Sequence, residues 1–105
     1  MTALTPERIE ALKRTHGELY CIEVAPEEGT EGEPLVFLLK KPTRQTMSAA
    51  GRFAQSDPMQ AAAVMVENCL VEGPKEALDD LTVFSAVSEQ FDALTAPRKA
   101  TLKKL

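Results

Sequence analysis

Pro42 separates two stretches with different hydrophobic periods, and that change constrains the fold more than any other feature of the chain. Ahead of it, Glu18–Val24 alternates. Tyr20, Ile22 and Val24 point one way while Leu19, Cys21 and Glu23 point the other, as in a half-buried strand. Leu35–Leu39 is a continuous apolar run closed by Lys40, Lys41 and Pro42, and its length favours a strand over a helix. Between the two lies PEEGTEGEP (26–34), with two prolines, two glycines and four glutamates, an exposed loop that lets the strands pair antiparallel. An isolated hairpin is marginal in water, so helices must cover one of its faces.

Those helices are signalled on both sides. A first one is expected over 6–16: Thr5 caps it, Pro6 takes the first helical position, and Glu7 meets the positive end of the dipole. Leu4 and Ile9 have hydrophobic-staple spacing, Ile9, Leu12 and His16 share a face, and Gly17 supplies the stop. His16 reads as a partly buried capping group. Beyond Pro42, Thr43 caps a helix near 44–55 with Met47, Ala50, Gly51 and Ala54 at i, i+3, i+4 and i+7. Asp57-Pro58 opens a helix of about 58–71 striped by Met59, Ala62, Ala63, Val66, Cys69 and Leu70. Val64, Met65 and Val71 lie off that stripe, so only a strip through Gln60, Glu67 and Asn68 is polar. Such a helix is central, or covered by a partner.

Gly73-Pro74 breaks the chain, a short helical turn spans 75–80, and a last helix runs over about 82–95 to Pro97. Its stripe, Phe84, Val87, Phe91 and Leu94, either packs the core or forms a partner groove, and these four are the candidate partner-binding residues. The expected architecture is α+β: an N-terminal helix, a short antiparallel β-hairpin, then a small helical bundle. Residues 1–96 form one domain and 97–105 a basic tail.

Chemistry is what the sequence lacks. One histidine, two cysteines and no CxxC or HxxxH spacing leave no metal set. Ser48, Ser56, Ser85 and Ser88 lie in or beside helices without a nucleophile elbow, and no glycine-rich loop cradles phosphate. Glu27, Glu28, Glu31 and Glu33 lack the alternating frame of a calcium loop. Neither an enzyme nor a bound cofactor is expected. Cys21 and Cys69, each in an apolar segment, read as small buried hydrophobes.

Charge is uneven along the chain. Residues 34–58 carry four bases against one acid and 97–105 four bases and no acid, while the rest is acidic and the total is −4. An acidic total with 5% aromatics argues against nucleic-acid binding. No run approaches the roughly 20 apolar residues of a membrane span. The start, MTALTPERIEALKR, lacks a basic then apolar leader, so a cytoplasmic protein is expected.

Within Val36–Leu94, Lys41-Pro42-Thr43 joins a strand to a helix, Ser56-Asp57-Pro58 forms a polar break, and Cys69-Leu70-Val71-Glu72-Gly73-Pro74 closes an apolar helix. In these features the segment resembles the small tail-assembly chaperones of long-tailed phages and prophages. The resemblance implies a non-enzymatic protein in the bacterial host cytoplasm. It would coat the long helical tape-measure protein until the tail tube polymerises, with tail-tube subunits as further partners. It also implies a longer form made by ribosomal slippage near the C-terminus, for which Lys103-Lys104 offers a codon context. A secretion-type binding chaperone and a structural head–tail or tail subunit remain alternatives, and self-association is open in each case.

Overall fold

The change of period at Pro42 becomes a change from sheet to helix. The computed structural model describes residues 5–29 and 31–105. Helix α1 (Pro6–His16) precedes strands β1 (Leu19–Val24) and β2 (Leu35–Lys40), followed by helices α2 (Arg44–Gly51) and α3 (Pro58–Cys69). Strand β3 (Leu70–Glu72) and helix α4 (Leu81–Asp92) complete an α+β fold, with 3-10 turns at Lys75–Asp79 and Ala93–Thr95 on either side of α4.

The hairpin forms as its alternation requires. β1 and β2 pair antiparallel from Leu19 opposite Lys40 to Val24 opposite Leu35. Ile22 lies opposite Phe37, so the two share a face. A third strand joins them that the periodicity does not announce. The chain leaves the helical conformation at Leu70 (φ −68°, ψ 120°), and β3 pairs antiparallel with β2, with an irregularity between Leu38 and Leu39. The expected helix to residue 71 therefore ends at Cys69. Leu70 fits a helical stripe and a strand equally well; the vacant hydrogen-bonding edge of β2 decides between them.

Gly73 makes this connection possible. Its φ is +150°, and a Cβ there would stand 2.9 Å from Phe37 Cδ1 and 3.1 Å from the Val36 carbonyl oxygen. The backbone leaving β3 thus lies directly against β2, and only a residue without a side chain fits.

Ile22, Phe37, Leu39, Val66, Cys69, Val87 and Phe91 form the core, with Leu35, Met65, Leu70, Val83, Phe84 and Leu94 packed around them. One face of the sheet, the C-terminal half of α3 and α4 supply it. Leu38 is also buried, but on the opposite face from Phe37 and Leu39. Its cross-strand partners are Cys21 and Glu72, and Arg8 of α1 holds Glu72 at 2.9 Å, which places the first turn of α1 on that back face.

Helix α1 starts and stops as its residues dictate. Thr5 Oγ1 accepts from the Arg8 amide at 3.2 Å, and the Gly17 amide donates to the Lys13 carbonyl at 2.7 Å with φ +82°. The Leu4–Ile9 staple falls outside the described residues. The helix buries no residue, and His16 is exposed rather than partly buried. The Arg8–Glu72 pair, with side chains 50% and 31% exposed, contributes under about 1 kcal/mol. Helix α1 is the most lightly held element of the described chain.

Helix α2 is shorter than the expected 44–55. It ends at Gly51, and residues 52–56 continue as turns. Its cap is Thr43, whose Oγ1 accepts from the Thr46 amide at 3.2 Å, and Asp57 caps α3 through the Gln60 amide at 3.1 Å. Residues 96–105 carry neither helix nor strand and are exposed.

Candidate functional site

Three of the four candidate partner residues, Phe84, Val87 and Phe91, lie on one face of α4, which turns inward. Leu94 follows in the 3-10 turn Ala93–Thr95, since the helix expected to reach 95 ends at Asp92. Val87 and Phe91 are buried in the core, while Phe84 and Leu94 are half-buried against it. Of the two readings of this stripe, the structure places it in the core. The sheet covers this stripe within the molecule, as it does for an amphipathic helix packed on a core. Leu81, in the first turn of α4, is the large apolar residue of this helix that stays outside, at 63% exposure.

The free apolar surface is on the other helices. Met47 of α2 is 48% exposed and Met59 of α3 53% exposed. Both belong to the stripes expected to face the core. On α2 only Ala50 is buried, and on α3 only Val66 and Cys69. Helix α3 reaches the core through Val66 and Cys69, in its C-terminal half, and also packs on α2. Helix α2 in turn has α3 as its principal neighbour. Helices α2 and α3 are joined through residues 52–57 and pack on each other as a helical hairpin. The small residues of α2 were the available signal, since a helix whose large apolar side chain is a single methionine has little with which to anchor itself.

The outer side of α2 carries a shallow depression of about 550 Å³ lined by Arg44, Gln45, Ser48, Ala49 and Arg52. Two of its lining residues are arginines, Arg44 and Arg52, eight positions or about 12 Å apart along a helix. Neither arginine has an ion-pair partner among the described residues. A second cleft, of about 260 Å³, runs between β1 and α4 and is lined by Cys21, Ile22, Glu23, Ala86, Glu89 and Gln90.

Cys21 and Cys69 are both free thiols. Cys69 is buried as expected, whereas Cys21 is exposed, because it lies on the far face of β1 from the core. Burial pushes the Cys69 thiol up, with Lys40 opposing, and partial burial together with the Glu23 carboxylate raises that of Cys21. Both shifts disfavour the nucleophilic thiolate. At Asp80, hydrogen bonds from the Thr82 hydroxyl (2.7 Å) and amide (2.9 Å) hold the carboxyl below its usual range. This is the chemistry of an N-cap, since Asp80 opens α4.

Among the described residues, no group of three or more His, Cys, Asp or Glu side chains is placed to hold a metal ion, and no helix is long and apolar enough to cross a membrane.

No protein-family model matches the chain, and no curated protein matches its sequence. In three dimensions it is similar to the structure of the uncharacterised protein rbstp2171 from Bacillus stearothermophilus. The TM-score is 0.64 at 20% identity, covering 91% of this chain and 99% of that one. Such a likeness shows a shared fold from end to end, without assigning an activity.

Proposed function

We propose that this chain is a non-enzymatic binding protein, a tail-assembly chaperone of a long-tailed phage or prophage that holds a helical client, the tape-measure protein, in solution in the host cytoplasm. The observation that carries the reading is the half-exposed pair Met47 and Met59 on the α2–α3 hairpin. Methionine is unbranched and polarizable, so a surface built on it adapts to many apolar partners along a long client. A client helix laid along α2 meets small residues at Ser48 and Ala49, with Arg44 and Arg52 placed for its carboxylates. The net charge of −4 helps keep the complex soluble. The resemblance across Val36–Leu94 supports the same reading and adds tail-tube subunits as second partners. No nucleotide is needed for release, because polymerising tail tube competes for the client by mass action.

Co-expression with a long helical tape-measure protein tests the reading. Soluble client should rise, and Met47→Ser with Met59→Ser should abolish the rise without moving the melting temperature of the chain. A soluble yield that is the same with and without the chain would overturn it.

A further inference from the structure

The sheet order β1-β2-β3 leaves the outer side of β1 without a strand partner among the described residues. β1 is six residues long and carries no proline or lysine to blunt that edge. The 260 Å³ cleft lies along it. Its lining includes the consecutive residues Cys21, Ile22 and Glu23, together with Ala86, Glu89 and Gln90 of α4. Side chains of consecutive strand residues point to opposite faces, so what these three share is the strand's edge. The cleft is therefore a slot for an extended segment, with the open hydrogen-bonding row of β1 on one side and the flank of α4 on the other.

The charges in the slot are of one sign and stand on opposite faces. Ile22 faces α4 and the core, so Glu23 faces away from α4, whereas Glu89 belongs to α4 itself. The chain carries a segment of matching character. Residues 97–105, PRKATLKKL, have four bases and no acid, adopt neither helix nor strand, and leave Leu102 and Leu105 fully exposed. In an added strand the adjacent Lys103 and Lys104 point to opposite faces, as carboxylates on the two sides of one edge require.

We propose that the C-terminal tail of one copy of this chain adds as a fourth strand to the β1 edge of a second copy, with Lys103 and Lys104 paired to Glu23 and Glu89 and Leu102 or Leu105 against the apolar part of the cleft. Main-chain hydrogen bonds supply the affinity and the paired charges set the register. The exposed leucines gain cover, and the open edge is closed against indiscriminate pairing.

Sedimentation velocity on the purified full chain across a range of concentrations tests this apart from any client. The intact protein should associate reversibly, and more weakly as salt is raised. Lys103→Glu with Lys104→Glu should weaken association by about tenfold or more, as reversal of two partly exposed pairs implies. Mixing that variant with Glu23→Lys/Glu89→Lys protein should restore association between the two. As a second readout, Thr101→Cys should form a disulfide with Cys21 of another molecule under mild oxidation, giving a covalent dimer. A protein that stays monomeric throughout, an association indifferent to the tail charges, or a disulfide between Cys21 and the introduced thiol that forms only within one molecule would each overturn the proposal.

Discussion

Gly73→Ala is the most informative single change to the fold. The alanine methyl would lie 2.9 Å from Phe37 Cδ1, 3.1 Å from the Val36 oxygen and 3.3 Å from Phe37 Cα. Carbon atoms prefer separations of about 3.5–4.0 Å. Phe37 is completely buried, so its ring has nowhere to move, and the other two atoms are backbone of the central strand. Forcing extra volume into a packed core costs about 1–3 kcal/mol. Holding a residue with a Cβ at φ +150° adds about 1–3 kcal/mol. Partial relaxation makes the two overlap, so a loss of about 2–4 kcal/mol is expected. A domain of this size is stable by about 5–15 kcal/mol, and each kcal/mol moves the melting temperature by about 4–8 °C. Urea titration and calorimetry should therefore show a large fall in midpoint with little change in slope. Gly51→Ala is the matched control: it ends α2 with nothing within 4 Å of the added methyl. It should be neutral or stabilising by up to about 1 kcal/mol. If the two variants melt together, β3 does not lie against β2 as described.

Three further outcomes are expected. Val66→Asp, which puts a carboxylate at a core position 1% exposed, should unfold the domain, whereas Lys103→Asp in the tail should leave the melting temperature of the monomer nearly unchanged. Native protein should react with a thiol reagent at one site, Cys21, with Cys69 becoming reactive only in denaturant; simultaneous labelling of both would place the α3 terminus wrongly. Because the folded-state carboxyl of Asp80 is held below its ordinary value of 3.8, its ionised form stabilises the fold above that value, and the contribution is lost as pH falls through the depressed folded value. Asp80→Asn keeps a capping side chain without the charge. The wild-type advantage over this variant should thus be constant from neutral pH down to about pH 5 and shrink below about pH 4; an advantage that persists unchanged in acid would refute the role of the charge.

Where local chemistry sets a boundary, the sequence sufficed. Thr5, Thr43 and Asp57 each cap the helix that their position announces, because the cap is a contact between residues three apart. The β1–β2 pairing was equally legible, since the alternation of β1 sets which of its faces is buried and the apolar run of β2 has the length of a strand. The α+β class follows from those two facts. What the sequence left open was how each apolar stripe is covered, which depends on elements distant along the chain. The stripe of α4 goes into the core because the sheet is there to receive it, while Met47 and Met59, on stripes of similar quality, stay half-exposed because α2 has α3 as its principal neighbour. Leu70-Val71-Glu72 could extend a helix or form a strand, and the open edge of β2 made it a strand. That third strand closed one side of the sheet and left β1 as the long free edge, so the position of the interaction surfaces was decided by tertiary pairing. Period and caps are properties of neighbouring residues; exposure belongs to the whole fold.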